Sequence, residues 1–325
     1  MRFAVIGCGW ITGALHAPSY AQIMREQGGL EAAACCDVDA ARAEQTRARF
    51  GFGRAYTDPL RLLAEERLDA VCLNVPPALT CELACVVLRR GIALLTEKPP
   101  GLTTAELEQM IAAAQAGGAA HMVAFNRRWM PLARELRARL GERAVEHVQY
   151  SMVRAGRRDA DFSTTAVHAV DAASFLAGSE YRALRIAYQE LPEEGPGAAN
   201  FYLDAEMVSG AQVRIAATPL AGATVERALV AARGWSADLR CPVGNDGAGR
   251  LEIYAGGKPE AALEGAACAG GSEEWRLGGF YQENQAFFSA LLAGKRPPDG
   301  LESARQAVAI MQALRERRAE VVFTP

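Results

Sequence analysis

Short apolar segments alternate with helical patterns up to about residue 126, and this alternation constrains the fold more than any other feature of the chain. Each apolar segment is continuous, which is typical of parallel strands buried on both faces. Strands that alternate with helices at this spacing form βαβ units, so we predict a parallel, doubly wound sheet. The predicted strands are Phe3–Gly7, Leu30–Asp37, Leu68–Val75, Ile92–Glu97 and Ala120–Phe125. The predicted helices start near Ile11, cover Ala40–Arg49 and Cys81–Arg90, and follow the capping box of Thr103 and Glu106.

The pattern changes in the second half of the chain. Strand-like segments follow one another with few helices between them, which favours a mostly antiparallel sheet. They are Val145–Arg154, Ala183–Glu190, Phe201–Val208, Gln212–Ala217, Ala228–Arg233 and Leu251–Tyr254, and the helical patterns are Thr164–Leu176, Tyr281–Leu292 and Leu301–Arg317. A length of 325 residues also fits two domains. We therefore predict one domain over residues 1–123 and an α/β domain over residues 124–325.

Composition and charge exclude several classes of partner. The formal net charge is −3, so the chain has no excess of positive charge to neutralise nucleic-acid phosphates. No apolar run approaches the roughly 20 residues that a membrane span needs. The chain passes from Met1 directly into an apolar strand pattern, without the layout of a signal peptide. We therefore expect a cytoplasmic protein that acts on a small molecule, with no nucleic-acid or membrane partner.

The eight cysteines do not form a recognisable metal or disulfide pattern. No CxxC motif is present, and Cys81 and Cys85 lie one helical turn apart without a second pair or a histidine cluster. Most of the cysteines fall within apolar strand or helix patterns, where a free thiol packs as a small hydrophobic group. We expect packing roles and no metal site.

A glycine-rich loop follows the first predicted strand and precedes a helix. Its sequence is Gly-Cys-Gly-Trp-Ile-Thr-Gly over residues 7–13. Gly7 permits a tight turn, and Gly9 lets the backbone approach a pyrophosphate at the helix N-terminus. The third glycine of the dinucleotide fingerprint would fall at Thr12, whereas Gly13 comes one position late. The loop and its context predict dinucleotide binding. The candidate contacts in this loop are Gly7, Cys8, Gly9, Trp10 and Ile11.

Asp37 ends the second predicted strand, where a carboxylate accepts a hydrogen bond from a ribose 2′-hydroxyl. A carboxylate there repels a 2′-phosphate, so the sequence favours NAD over NADP. Arg42 and Arg47 lie nearby in the sequence, so NADP also remains possible as the cofactor. An alternative interpretation is that Asp37 only caps the following helix.

Lys98 follows the strand Ile92–Glu97 in the sequence Thr-Glu-Lys-Pro-Pro. Ligands of such folds bind outside the carboxyl ends of the strands, where this lysine would lie. It could hold a substrate hydroxyl or carbonyl as an electrostatic stabiliser or proton relay. The alternative interpretation is a solvated lysine at a strand end. The spacing of residues in the sequence, taken alone, favours this alternative.

Thr164, His168 and Asp171 are spaced by four and three residues, so on a helix they share one face. A histidine paired with a carboxylate titrates in the range that general acid–base catalysis uses. The alternative is a structural hydrogen bond, which is the commoner role of such a pair.

Four segments together resemble the Gfo/Idh/MocA oxidoreductase family. They are GCGWITGALHA at residues 7–17, TEKPP at 96–100, AFNRRWMP at 124–131 and HAVD at 168–171, in this order and spacing. The resemblance implies an N-terminal Rossmann domain and a C-terminal α/β domain with an open, mostly antiparallel sheet. It also implies NAD(P)-dependent redox chemistry on sugars, polyols or related compounds. Oligomers, dimers or tetramers, are expected through the C-terminal sheet.

Carried over by position, the resemblance makes Lys98 and His168 the catalytic residues. It also places His16 after the glycine loop, where the family often has a histidine. The remaining assignments are Val75, Pro76 and Glu97 near the cofactor, and Thr164, Asp171, Asn126 and Arg128 near the substrate. The chain departs from the family pattern at three places. Thr164 stands where an aspartate is common, Val75-Pro76 replaces a Thr-Pro pair, and Thr80 replaces a usual histidine.

The leading hypothesis is an oxidoreductase that transfers hydride between NAD, or NADP, and a sugar, polyol or related hydroxy or keto compound. One alternative is a sugar hydrolase or lyase that uses bound NAD transiently, without net reduction. Another is a non-catalytic dinucleotide sensor, which the threonine at position 164 motivates.

Overall fold

The computed structural model describes residues 1–159, 161–195 and 197–324. The chain divides into two compact units. The first comprises Met1–Phe125 and Phe280–Val308, and the second comprises Asn126–Gly279 and Ala309–Pro325. The sequence analysis placed residues 280–308 in the second domain, and its division into functional domains at residue 123 stays a prediction.

A doubly wound parallel sheet forms the core of the first unit, with strand order β3-β2-β1-β4-β5-β6. Its strands are β1 (Arg2–Ile6), β2 (Glu31–Cys36), β3 (Arg54–Tyr56), β4 (Ala70–Leu73), β5 (Ala93–Glu97) and β6 (His121–Ala124). The helices between them are α1 (Ala17–Gln27), α2 (Ala40–Phe50), α3 (Pro59–Glu65), α4 (Pro77–Arg89) and α5 (Thr104–Gly117). All four residues of β4 are buried, in agreement with the continuous apolar pattern.

Local signals explain where several of these helices begin. The Thr103 hydroxyl accepts a hydrogen bond from the Glu106 amide at 3.1 Å, so α5 begins where the capping box predicts. The sequence analysis expected the fourth helix from Cys81, but α4 begins at Pro77, since proline is tolerated in a first helical turn. A π-helical turn, Thr12–His16, precedes α1.

The sequence analysis did not identify β3 and α3. Strand β3 has only three residues, Arg54–Tyr56, and such a segment is too short to show a periodic pattern. It nevertheless pairs in parallel with β2 and completes the edge of the sheet.

A nine-stranded sheet forms the core of the second unit, with strand order β14-β13-β12-β11-β7-β10-β9-β8-β15. All neighbouring pairs are antiparallel except β7 and β10. The elements up to residue 279 are α6 (Pro131–Leu140), β7 (Val145–Ala155), α7 (Ser163–Ala177), β8 (Tyr181–Glu190), β9 (Ala199–Met207), β10 (Gln212–Ala221), β11 (Val225–Ala232), β12 (Trp235–Arg240), β13 (Arg250–Ala255), β14 (Lys258–Glu264), α8 (Gly265–Ala269) and α9 (Glu274–Leu277). Helix α7 packs on β7, β10 and β11.

Two helices and a short strand end the chain: α10 (Phe280–Leu292), α11 (Arg305–Arg315) and β15 (Glu320–Val322). Within the first unit, the Phe288 ring of α10 lies 4.9 Å from Phe3 and 5.8 Å from Tyr20, measured between ring centroids. This aromatic contact attaches α10 to β1 and α1. The pattern predicted one helix from Leu301, but a 3-10 turn over Leu301–Ala304 precedes α11.

The described residues include no helix that is both long and apolar enough to cross a membrane. All eight cysteines carry free thiols, with six buried and two, Cys81 and Cys268, half-buried.

Candidate active site

Gly7 turns the chain at the carboxyl end of β1, immediately beside the end of β4. Its φ is +97°, and a Cβ atom there would lie 2.2 Å from the carbonyl oxygen of Asn74. Glycine is therefore required, because any side chain would overlap the neighbouring backbone. A Cβ atom at Gly9 would meet no atom within 4 Å. The backbone at Gly9 is thus open to close approach by a ligand, as the glycine fingerprint requires.

Thr12 stands in place of the third glycine and joins the loop to β4. Its hydroxyl donates to the Gly7 carbonyl oxygen at 2.6 Å and accepts from Asn74 Nδ2 at 3.0 Å. Thr12 is fully buried, so the substitution fills space between loop and sheet and adds a polar link. The sequence analysis did not single out Asn74, although a polar residue directly after a buried strand was the available signal.

The Asp37 carboxylate holds the glycine loop and the start of α2 together. It accepts hydrogen bonds from the backbone amides of Cys8 and Asp39, each at 2.9 Å, and from Arg42 Nη2 at 2.9 Å. Burial raises the pKa of Asp37, but the amides and the guanidinium together hold it below its ordinary value. The carboxylate is therefore negative at neutral pH.

Asp39, not Asp37, caps α2. The Asp39 side chain accepts hydrogen bonds from the amides of Ala41 and Arg42. The alternative interpretation of Asp37 as a helix cap is thus wrong, because Asp39, two residues further along the chain, performs that role. The Asp37 carboxylate is left at the carboxyl end of the sheet, beside the loop.

Exposed apolar side chains lie in the segments that follow β1, β2 and β4. Trp10 is 68% exposed and Val38 is 83% exposed, while Ile11 and Val75 are half-buried and Pro76 is exposed. Single exposed apolar residues are common on protein surfaces, so their exposure alone does not mark a site. Their place in the segments after the strands suits the rings of a dinucleotide, and together with Gly9 and Asp37 they fit that cofactor.

Glu97 connects Lys98 to the interior of the first unit. Its Oε1 atom lies 2.8 Å from His16 Nε2, and its Oε2 atom accepts from the Lys98 amide at 3.1 Å. Burial raises the pKa of Glu97, but His16 and Lys98 together lower it by more than burial raises it. The pKa of Glu97 therefore lies below its ordinary value. His16 Nδ1 lies 3.3 Å from the side-chain oxygen of Asn284 on α10. This chain of contacts orients the half-buried Lys98 at the end of β5.

On α7, the structure gives the three predicted residues distinct partners. Asp171 is 2% exposed and accepts from Arg128 Nε at 2.9 Å. Thr164 is half-buried, and its hydroxyl donates to the Asp161 carbonyl oxygen at 2.9 Å. His168 is 8% exposed, and its Nε2 atom lies 3.3 Å from Arg127 Nη1. Since arginine can only donate, Nε2 accepts this hydrogen bond.

A buried carboxylate anchors Arg127. Glu226, on β11, is fully buried and pairs with Arg127 at 2.8 Å and 3.2 Å. It also accepts from the Tyr150 hydroxyl at 2.9 Å and pairs with Arg154. We call Glu226, Arg127, Arg154, Tyr150 and His168 the Glu226 cluster.

Strand register explains the Glu226 cluster. Glu226 lies opposite Met152 in the antiparallel pair of β11 and β7, so its same-face neighbours two residues away along β7 are Tyr150 and Arg154. All of them lie on the buried face, because side chains two residues apart on a strand point the same way. The sequence analysis missed Glu226, Arg154 and Tyr150. The available signal was a charged residue at an inward position of an alternating strand.

The charges of Glu226, Arg127 and Tyr150 are fixed over the ordinary pH range. Burial raises the pKa of Glu226, but Arg127 and Arg154 overcome this effect and lower it to about 2. The pKa of Arg127 lies above its ordinary value because of Glu226, despite burial, and that of Tyr150 is raised well above its ordinary value by burial. The cluster therefore contains one carboxylate, two guanidinium groups and a neutral tyrosine.

Asn126 supports Arg127 from the preceding position in the chain. Its Nδ2 atom donates to the Gly278 carbonyl oxygen at 2.8 Å, and its Oδ1 atom accepts from Arg127 Nη1 at 2.9 Å. Asn126 is 3% exposed. The structure thus uses its amide to orient Arg127, and its predicted contact with substrate stays a prediction.

The fold and these residues define a class: a dinucleotide-binding Rossmann unit with an α/β unit that contains a large, mostly antiparallel sheet. Residues 1–125 match the family described as the Gfo/Idh/MocA oxidoreductase family, NAD-binding Rossmann fold. The N-terminal 125 residues thus match the family model, which confirms the resemblance over that region.

Among the relatives, D-apiose dehydrogenase of Paraburkholderia graminis is 34% identical over 129 residues, which cover 39% of this chain and 33% of that protein. The scyllo-inositol 2-dehydrogenase (NADP(+)) of Bacillus subtilis is 31% identical over 140 residues, covering 43% of this chain and 41% of that protein. The chain thus spans about a third to two fifths of the length of these curated relatives.

A solved structure of levoglucosan dehydrogenase, in complex with NADH and L-sorbose, has a similar fold over the whole chain. The TM-score is 0.82 at 16% identity, and the match covers 100% of this chain and 99% of that one. It confirms the predicted fold class, a Rossmann sheet together with a mostly antiparallel sheet.

We predict that the same substitution, glycine to alanine, lowers stability at Gly7 and weakens dinucleotide binding at Gly9. Gly7→Ala should lower the free energy of unfolding by roughly 2–4 kcal/mol, because it adds a clash and a strained φ. Gly9→Ala should change it by less than about 1 kcal/mol but weaken dinucleotide binding about tenfold or more, since the methyl group occupies the approach to the backbone. Urea unfolding and a fluorescence titration with NAD would measure the two effects. Equal loss of stability in both variants would contradict the proposed difference between the glycines.

Glu226→Gln should lower the free energy of unfolding by about 3–5 kcal/mol at pH 7, because it leaves two buried guanidinium groups without a carboxylate. The pKa of Glu226 is lower in the folded chain, about 2, than its ordinary value of 4.5, so its ionised form stabilises the fold above pH 4.5. That contribution is lost as the pH falls towards 2. The difference between wild type and variant should therefore be constant from pH 5 to 8 and narrow below pH 4.

Urea unfolding across this pH range would measure the difference. Glu252→Gln, which removes a half-buried carboxylate paired with Arg250 on β13, is the matched control and should cost less than about 1 kcal/mol. A difference that stays the same down to pH 3 would show that Glu226 is not held ionised by its arginines.

Proposed function

We propose that this chain is an NAD(P)-dependent oxidoreductase that transfers hydride between a nicotinamide cofactor and a sugar, polyol or related hydroxy or keto compound. The observation that carries the proposal is the Asp37 carboxylate, held by the Cys8 amide beside an open Gly9. The names of the relatives, dehydrogenases of a sugar and of a cyclitol, support the substrate class.

In this proposal the loop residues Gly7, Cys8, Gly9, Trp10 and Ile11 contact the dinucleotide, together with Asp37, Val75, Pro76, Glu97 and Lys98. NAD is preferred because the negative Asp37 accepts from a ribose 2′-hydroxyl and repels a 2′-phosphate. Arg42 is half exposed and already paired with Asp37 at 2.9 Å, so it is not free to attract a phosphate while Asp37 is present. When bound, the nicotinamide accepts or supplies the hydride.

Lys98 and His168 are the proposed catalytic residues. The Lys98 ammonium stabilises negative charge that develops on the substrate oxygen, and Glu97 orients it through the backbone amide. His168 takes the hydroxyl proton in the oxidation direction. Because Arg127 donates to Nε2, that nitrogen carries the lone pair, and a substrate hydroxyl would replace Arg127 there.

The remaining substrate-side residues have positioning roles in this proposal. Asp171 holds Arg128, and Asn126 holds Arg127, which in turn contacts His168. Thr164 presents a hydroxyl where the family resemblance leads one to expect a carboxylate.

We also propose that the protein forms dimers or tetramers in the cytoplasm through the outer face of the nine-stranded sheet. Tyr202, Leu229 and Tyr254 are exposed apolar residues on β9, β11 and β13. The strand register places all three on the face opposite the Glu226 cluster.

His168→Ala should lower kcat about 100- to 10,000-fold without changing the Kd for NAD, because it removes the proton acceptor and leaves the first unit intact. The measurement is NADH formation across polyols, sugars and sugar acids, followed by NAD titration of each variant. His147→Ala, a histidine on β7 whose ring contacts the Gln212 carbonyl oxygen, is the matched control and should retain full activity.

Three results would contradict the proposed function. Unchanged turnover in His168→Ala would remove the catalytic role of that residue. Substrate conversion without net NADH formation would indicate a hydrolase or lyase with transient redox. NAD binding without conversion of any compound would indicate a sensor.

Asp37→Ala should reduce the preference for NAD over NADP by about tenfold or more, since it removes the carboxylate and releases Arg42 to meet a 2′-phosphate. Titration of both cofactors against each variant gives the ratio of Kd values. Asp39→Ala, which removes only the cap of α2, should keep the ratio while costing about 1 kcal/mol of stability. A ratio unchanged in Asp37→Ala would remove the reason for assigning cofactor choice to this residue.

A further inference from the structure

Two buried arginines share a single carboxylate in the Glu226 cluster. Arg154 is 6% exposed, the Arg127 side chain is 12% exposed, and Glu226 is fully buried. Across residues 1–159, 161–195 and 197–324, Glu226 is the one carboxylate within ion-pair distance of either guanidinium. One negative charge cannot neutralise two positive charges, so the cluster has an excess of one positive charge.

Acidic residues on α7 and in the segment before it are paired elsewhere. Asp171 pairs with Arg128, Asp161 lies 3.7 Å from Arg315, and Asp159 pairs with Arg157 at 2.8 Å. Position 164, where the family resemblance leads one to expect a carboxylate, carries only a hydroxyl. These elements therefore leave the excess charge of the cluster in place.

A guanidinium that is removed from water and lacks a full counter-charge strongly favours an anion. Arginine also binds carboxylates with a fixed geometry, because its donors lie in one plane. The excess charge of the cluster is thus a feature that an anionic ligand would neutralise and a neutral ligand would not.

Arg154 has a donor to offer such a ligand. Its Nη2 atom donates to Glu226 and its Nη1 atom donates to the Val153 carbonyl oxygen at 3.0 Å. Within the described part of the chain, its Nε–H group has no acceptor. Arg127, in contrast, directs its donors to Glu226, Asn126 and His168. Arg154 is therefore the member of the cluster with a donor that an anion could use, and Arg127 contacts both Glu226 and His168.

We propose that the substrate carries a carboxylate, as a sugar acid does, and that Arg154 binds this group. The proposal rests on the proposed function, because it names the substrate class of the same oxidoreductase. A carboxylate brings one negative charge, which matches the excess of one positive charge. A phosphate monoester brings about −1.5 to −2, which exceeds it.

The test compares matched substrates that differ mainly in charge. NADH formation by the full-length protein with NAD is measured for D-gluconate against D-glucitol and for D-glucuronate against D-glucose, with D-glucose 6-phosphate as the phosphate arm. We expect kcat/KM for the acid to exceed that of its neutral counterpart by about tenfold or more. A preference for the neutral compound, or for the phosphate, would overturn the proposal.

Arg154→Gln should lower the ratio of kcat/KM for the acids to kcat/KM for the neutral compounds about 10- to 100-fold, because it removes a charged donor while Glu226 keeps Arg127. Arg214→Gln is the matched control, since Arg214 lies on β10, is 73% exposed and pairs with Asp204. An Arg154→Gln variant that keeps the acid preference would contradict the assignment. If that variant does not fold, Arg154→Lys retains the charge but loses the Nε–H donor, and it should show a smaller loss of the same preference.

Calorimetry separates this proposal from the proposed function. D-gluconate is titrated into the wild-type protein with NAD bound, and into the arginine variants. Binding that is lost in Arg154→Gln supports the carboxylate site even where no compound is oxidised, in which case the oxidoreductase proposal fails. Oxidation of neutral polyols without any preference for acids would have the opposite meaning: the oxidoreductase proposal would stand and the carboxylate site would be overturned.

Discussion

The ion pair between Glu226 and Arg127 is the interaction on which the arrangement of buried polar groups in the second unit depends. Its two hydrogen bonds, at 2.8 and 3.2 Å, hold a guanidinium that contacts both Asn126 and His168. A buried ion pair contributes little net stability compared with well-packed apolar residues of the same volume. Charge at the inward positions of β7 and β11 is therefore better explained by function than by folding.

The first unit uses a carboxylate in a different way. Asp37 is satisfied by two backbone amides, and its arginine partner is half exposed. Arg42 can move away at little cost, because water replaces its contacts. Arg127 can release its contact with His168 but not its ion pair with Glu226, because leaving Glu226 would strand a buried charge. The first unit thus has an adaptable ion pair beside the glycine-rich loop, whereas the second unit has a fixed one below α7.

Much of the fold could be predicted because its signals are local. The continuous apolar runs of β1, β2, β4, β5 and β6 and the capping box of α5 are each contained within a few residues. Strands β12 and β14 were also missed. Strand β12 alternates regularly between buried and less buried residues but has only six residues, and the edge strand β14 has no buried residue that would mark an inward face. Helix α10 was predicted, but not its place in the first unit, because its contact with Phe3 joins positions 285 residues apart.

The residues of the candidate site also differ in whether a local sequence signal reveals them. Asp37, Lys98 and His168 follow recognisable motifs, so the sequence identifies them. Glu226 and Arg154 belong to no motif, and only the register of β7 against β11 brings them together. Register depends on pairing across the whole sheet, and a shift of one residue would turn every inward side chain outward.

The substitution at position 164 acquires a physical meaning only beside the Glu226 cluster. Read alone, a threonine in place of an aspartate suggests a weakened site, because one acidic group is lost from the face of α7. In the structure, the threonine hydroxyl bonds to the Asp161 backbone, and the sheet below α7 holds two guanidinium groups on one carboxylate. A carboxylate on α7 would compete with an anionic substrate for that positive charge. If the substrate carries a carboxylate, as we propose, the threonine and the unbalanced cluster belong together, because the ligand then supplies the negative charge that α7 does not.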